Sequence, residues 1–207
     1  KYQDAADLVV RLSKEEGYGA KRWTDPFIPA FSISIGMDTK GDVTGYSRSV
    51  DFSTGEVTVK WSDDSDSFSR RLFVSRSDDA VILKISGEKN GTVSCTVRLD
   101  QHPPEGSGGW NPERMAREGI RDFKASAGKE WLSYRSTFER SWEGSLKSYQ
   151  GTSRIVVTGG SCYSDGEQVI VSGADEVLLL TRIDPEYGDG DLKSEEIKAK
   201  LAKISSD

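Results

Sequence analysis

At 207 residues, with 35% hydrophobic and 30% charged residues, the chain is long enough for one large β domain or two small ones. Its formal net charge of −6 argues against a nucleic-acid backbone as partner, which would need a basic stripe. No run of about 18 apolar residues occurs, so no membrane-spanning helix is expected, and a mean hydropathy of −0.56 fits a well-solvated surface around a modest core.

The chain begins at Lys1 with neither an initiator methionine nor a signal peptide, and reads as processed, trimmed or cut from something longer. Residues 3–16 carry Ala5, Leu8, Val9 and Leu12 at helical spacing, with Gly17 as a stop. Two prolines then lead into an alternating run, Phe31, Ile33 and Ile35, which predicts a first strand. Strands follow over 45–52, 56–61, 67–75 and 80–86. In the first of these, Tyr46, Arg48, Val50 and Phe52 share one parity; in the second, Val57, Val59 and Trp61 do. The Ser53-Thr54-Gly55-Glu56 stretch between them suits a hairpin loop, and Asn90-Gly91 is a strong two-residue turn before a strand over 92–99. Short strands with turns every 8–12 residues predict a mainly β fold, an antiparallel β-sandwich with a few peripheral helices.

The rhythm breaks at "DQHPPEGSGGW". Asn111 and Pro112 open a predicted helix with Met115, Ile120 and Phe123 on one face. Residues 100–150 therefore read as an insertion, partly helical. Strands resume at "RIVVTGG", "EQVIVSG" and "EVLLLTRI". Beyond an acidic Gly-rich loop, Ser194 caps a last helix with Ile197, Leu201 and Ile204 on one stripe. That stripe either folds back on the sandwich or begins a connection to a further domain.

No catalytic constellation emerges. His102 is the single histidine, and one loop histidine builds no metal cage; no G-x-S-x-G elbow accompanies it. The Asp189-Gly190-Asp191 stretch fails the calcium-loop template at Lys193. Asp63 to Asp66 reads as a hairpin tip, and Asp78-Asp79 as a turn, since neighbours in a strand face opposite ways. No phosphate-cradling loop is present. Cys95 shares the parity of Val93, Val97 and Leu99, which makes it a buried thiol, or else one half of a disulfide with Cys162. Trp23, Trp110, Trp131 and Trp142 fall in loops or edges. Of these, Trp110, Trp131 and Trp142 are candidate sugar-stacking residues, the alternative being burial at element junctions. No cofactor and no metal is implied.

Two stretches carry a resemblance. "GYSRSVDFSTGEVTVKW" followed by "SFSRRLFVSRSDDAVILKISGEKNGTVSCTVRLD" resembles the N-terminal domain of glycoside hydrolase family 95, the inverting α-L-fucosidases, through Tyr46, Arg48, Asp51, Thr54 and Gly55, then Phe68, Arg70, Phe73, Ser75 and Asp79. The stretches on either side, from the leading helix to Gly173–Glu176 and the final helix, are similar as well. The resemblance implies a supersandwich-like domain over 1–192 and, over 193–207, the start of a linker helix to an (α/α)6 catalytic barrel that lies outside this chain. It implies a parent enzyme that hydrolyses α-L-fucosyl or related bonds in glycans, in the extracellular space or periplasm. The barrel of the same parent chain and an oligosaccharide are the implied partners. No catalytic residue carries over, because the family's catalytic groups lie in the barrel; a free-standing carbohydrate-binding module or a purely structural sandwich is the alternative. Tyr46, Arg48, Asp51, Arg70 and Asp79 become scaffold residues, with Arg48 and Arg70 expected to pair with carboxylates such as Asp51 and Asp79.

Overall fold

The computed structural model describes residues 1–16, 29–101, 120–139, 143–187 and 194–204. Among these residues, twelve strands run between two helices: α1 (Tyr2–Glu15), β1 (Ser32–Gly36), β2 (Thr44–Asp51), β3 (Glu56–Ser62), β4 (Ser67–Ser75), β5 (Ala80–Gly87), β6 (Val93–Asp100), β7 (Ile120–Ala127), β8 (Trp131–Phe138), β9 (Ser148–Thr158), β10 (Ser161–Asp165), β11 (Gln168–Ala174), β12 (Glu176–Glu186) and α2 (Ser194–Ala202). They form an eight-stranded sheet in the order β2-β3-β4-β5-β12-β9-β8-β7 and a four-stranded sheet in the order β1-β6-β11-β10. Every pairing is antiparallel. The architecture is the expected mainly β sandwich.

Alternation builds the core. In β6, Val93, Cys95, Val97 and Leu99 point inward and are buried, while Ser94 and Arg98 face water. They meet Leu83 and Ile85 of β5, Val177 and Leu179 of β12, and Val169 and Val171 of β11 in one continuous cluster. At the β8–β9 end an aromatic group completes it. The Phe31 ring covers Gly151, where a Cβ would come within 2.3 Å of the ring, and lies 5.3 Å from Tyr134. Glycine is required there because no other residue leaves room for the ring.

The final helix folds back. Ile197 and Leu201 bury against Ala80, Ile82, Leu178 and Leu180 on the outer face of the large sheet. Arg154 donates from Nη1 to the carbonyls of Leu201 and Ala202, a cationic contact that suits a helix C-terminus. The leading helix behaves differently. It is amphipathic by sequence, yet none of its residues is buried, and Leu8, Val9, Val10 and Leu12 are exposed.

The reading of 100–150 as a partly helical insertion is corrected over its described part. Ile120 and Phe123 lie not on a helix but in β7, and β7, β8 and the start of β9 are integral strands of the large sheet. The predicted helix start at Asn111 and Pro112 lies outside the described residues. Strand β10 has no counterpart among the expected strands.

The cysteines do not pair. Cys95 aligns with Val171, and Val171 with Cys162, so the two cysteines are two strand spacings apart, about 9.5 Å. A disulfide needs Cα atoms within about 7 Å. Both thiols are free, and burial pushes Cys95 up to about 12 with the Cys162 thiol adding to the shift, which leaves it unreactive.

Candidate functional site

The eight-stranded sheet is wider than the sheet that faces it, and the surplus lies at β2, β3 and β4. Arg48 aligns with Val59, Val59 with Arg70, Arg70 with Ile85, and Ile85 with Val177. This row is on the inner face, because Ile85 and Val177 belong to the sandwich core. Cover persists as far as Val59, which is buried, and runs out at β2. Ile85 is fully buried, whereas on the same face Tyr46, Val50 and Val74 are 59%, 51% and 63% exposed. Trp61 and Phe68 stack at 5.5 Å at the upper end of this surface. The result is a sheet face that is open along β2 and at Val74 and carries two guanidinium groups, while Val59 and Phe68 on it stay buried.

Neither arginine has the partner expected of it. Asp51 accepts from the backbone N–H and the hydroxyl of Ser53, at 2.8 and 2.6 Å, and those bonds hold its carboxyl below the usual carboxylate range. It lies three residues from Arg48 along β2, hence on the opposite face. Asp79 pairs with Arg182 at 2.9 Å, and Arg182 also reaches Asp184 at 3.0 Å. Asp79 lies in the turn just before β5, six residues before the Arg70-facing Ile85, about 20 Å along the chain direction of the strand. The paired arginine is the next one, Arg71, which grips Glu56 through Nε at 3.0 Å and Nη2 at 2.6 Å on the outer face. Among the described residues, Arg48 and Arg70 make no ion pair. Tyr46 is exposed beside them.

Trp131 packs half-buried against the cluster under α2. Trp23, Trp110, Trp142, His102 and the Asp189-Asp191 stretch lie outside the described residues. Of the sequence candidates for sugar stacking, Trp131 is therefore the one that falls within the described residues.

The remaining acidic clusters are consumed by the fold. Asp63 accepts from the Ser65 hydroxyl and N–H, from the Asp66 N–H and from the Lys40 N–H, and its carboxyl is held far below the ordinary range, mainly by Ser65 and Lys40. Asp66 is buried. Burial would raise its pKa, but the Lys89 N–H, the Thr92 hydroxyl and the Ser67 N–H outweigh that and lower it. Asp66 thus ties the β3–β4 turn to the Asn90-Gly91 turn. A pH dependence follows from these directions. A carboxyl depressed in the folded state contributes stability above its unfolded pKa and loses it as pH falls through the folded value. Asp51, Glu56, Asp63 and Asp66 are all depressed. The urea midpoint is expected to hold between about pH 7 and 5 and to fall steadily below about pH 4; Asp66→Asn should flatten that fall. A midpoint unchanged down to about pH 3 would contradict the assignment.

Two clefts flank the small sheet. One, of about 540 Å³, lies among Met37, Lys40, Phe68, Thr92 and Ser94, with Asp38 as its single carboxylate. The other, of about 430 Å³, lies at Lys129, Glu130 and Cys162, again with one carboxylate. Glycosidic hydrolysis by the usual route takes two carboxyl groups flanking the bond, and neither cleft offers them. No group of His, Cys, Asp and Glu among the described residues is arranged to hold a metal ion.

Fold and surface together define a mainly β sandwich domain whose inner face is open at β2 and whose two clefts, among the described residues, each hold a single carboxylate. The chain belongs to the family of the glycosyl hydrolase family 65 N-terminal domain, whose model matches residues 2–189. The family shown is thus family 65 by its N-terminal domain, not family 95 specifically. Among solved structures, a protein described as a kojibiose phosphorylase from human microbiome matches at 12% identity with a TM-score of 0.50. That match covers 83% of this chain and 24% of the phosphorylase, so this chain spans about a quarter of its length. At that identity the likeness is one of fold. No curated protein is matched.

Proposed function

We infer that this chain is the non-catalytic N-terminal domain of a larger glycoside-processing enzyme, and that it braces a catalytic domain carried by the same polypeptide. The observation that carries this reading is the family match over residues 2–189, joined to two clefts among the described residues that each offer a single carboxylate. Catalysis then belongs to the neighbouring domain, and this sandwich contributes position and rigidity. As to substrate, α-L-fucosyl glycosides are what the resemblance to family 95 implies, carried by Tyr46, Arg48, Asp51, Thr54 and Gly55 followed by Phe68, Arg70, Phe73, Ser75 and Asp79. The same reading puts the parent outside the cytoplasm, where complex glycans are met.

The test compares residues 1–207 with the parent polypeptide on a chromogenic α-L-fucoside, and on kojibiose with and without inorganic phosphate. Activity is expected in the parent on the fucoside and in neither assay for residues 1–207. Activity of residues 1–207 alone would overturn the accessory role. Phosphate-dependent cleavage of kojibiose by the parent, with no fucoside hydrolysis, would keep the accessory role and replace the substrate.

A further inference from the structure

Strand β2 contradicts its own pattern. Tyr46, Arg48 and Val50 alternate with Ser47, Ser49 and Asp51, the signature of a strand with one buried face, yet all eight residues of β2 are exposed. Val74 of β4 and Ile183 of β12 share the inner face of the sheet, and they too are exposed, at 63% and 46%. Apolar side chains left open on one face of a sheet mark a contact site rather than a solvated wall.

The geometry also shows what shape would fill it. Strand β1 pairs only with β6 and is the edge of the small sheet. It runs from Phe31, which covers Gly151, to Gly36 and Met37, which share a cleft with Phe68 of β4. Its unpaired edge faces away from β6, and its Gly36–Met37 end lies beside Phe68 of the large sheet. A bare strand edge is a template for another strand. Added strands would extend the four-stranded sheet across the eight-stranded one and bury the inner side of β2.

Charge restricts the occupant further. Arg48 and Arg70 stand on this face without a carboxylate among the described residues, in a chain of net charge −6. Covering them without a counter-charge would bury unpaired guanidinium groups, which is costly. A second copy meeting the same face about a two-fold axis would set arginine against arginine. Helix α1 is apolar on one side but would leave the β1 edge unpaired.

We propose that the open inner face at β2 and Val74 receives an extended, apolar and carboxylate-bearing segment of the same polypeptide from outside residues 1–207, added as a strand beside β1, with its carboxylates on Arg48 and Arg70. The inference rests on the accessory-domain reading in that the parent polypeptide supplies the segment.

Single cysteines placed in the parent polypeptide test it, with alkylation at each site followed by peptide mass spectrometry. Val50→Cys and Val74→Cys on the inner face are expected to label at least about tenfold more slowly than Ser49→Cys on the outer face of the same sheet. In the Arg48→Glu/Arg70→Glu background the inner sites should come within about threefold of Ser49→Cys. Equal rates at the inner and outer sites in the unaltered background overturn the proposal. So does protection that grows with protein concentration, which would make the occupant a second copy, and so does protection that survives the double charge reversal. Activity of the same parent on the glycosides above separates the two readings. An active parent with freely labelled inner sites removes the docking proposal alone, and an inactive parent with protected inner sites removes the enzymatic reading alone.

Discussion

Leu179→Ala is expected to lower the unfolding free energy by about 2–5 kcal/mol. Leu179 is 0% exposed and lies at the middle of the large sheet, aligned with Leu83 of β5 on one side and Ile155 of β9 on the other. Truncation removes apolar contact and leaves a cavity. The surrounding strands are hydrogen-bonded on both sides and cannot close over it, which places the cost towards the upper part of that range. Urea denaturation should show a lower midpoint with an unchanged slope. Leu8→Ala in α1 provides the contrast. It is 43% exposed on a helix with no buried residue, so its effect should stay within about 0.5 kcal/mol. An equal loss at both positions would mean that α1 has a partner surface in solution.

Gly160→Ala is the second large effect, at about 3 kcal/mol. Gly160 turns the chain between β9 and β10 at φ +61°, and a Cβ there would lie 2.3 Å from the Ser172 carbonyl oxygen and 2.6 Å from the Gly173 carbonyl. Both contacts are with backbone, which cannot swing aside as a side chain can. Gly166, in the β10–β11 turn, has almost the same φ, +60°, but nothing within 4 Å of the added atom. Gly166→Ala should therefore cost only the left-handed backbone penalty, about 1 kcal/mol. The difference between the two isolates the steric contribution. Thermal or urea unfolding of both variants reads it directly, and equal losses would show that the small sheet yields at that turn.

Part of the candidate surface is legible in the sequence alone. Period-two alternation puts Tyr46, Arg48 and Val50 on one side of a strand and Val59 and Trp61 on one side of the next, and the fold keeps both sets on the inner face. The choice of arginine partner is not legible in this way. Arg70 and Arg71 are adjacent, so they face opposite ways, and only the register of β3 against β4 brings Glu56 within reach of Arg71. The error at 120–123 has a physical cause as well. A register shift in β7 between Ile120 and Asp122 lets Ile120 and Phe123, three residues apart, face the same side opposite Phe138 and Ser136. A bulged strand of that kind imitates helical spacing.

What the sequence determined by itself was local: where strands start and stop, through alternation and turn residues, which side chains share a face, and that the last helix carries an apolar stripe. These follow from the two-residue repeat of a strand and the 3.6-residue repeat of a helix, which depend on no distant contact. Only the tertiary structure decided which strands meet. It set β7 and β8 into the large sheet, kept Cys95 and Cys162 two strands apart, laid α2 on Leu178 and Leu180, and left the inner side of β2 bare. Periodicity states which residues want cover. Whether cover arrives depends on pairings between residues far apart in the chain, and on this face the four-stranded sheet ends at β1 before it reaches β2.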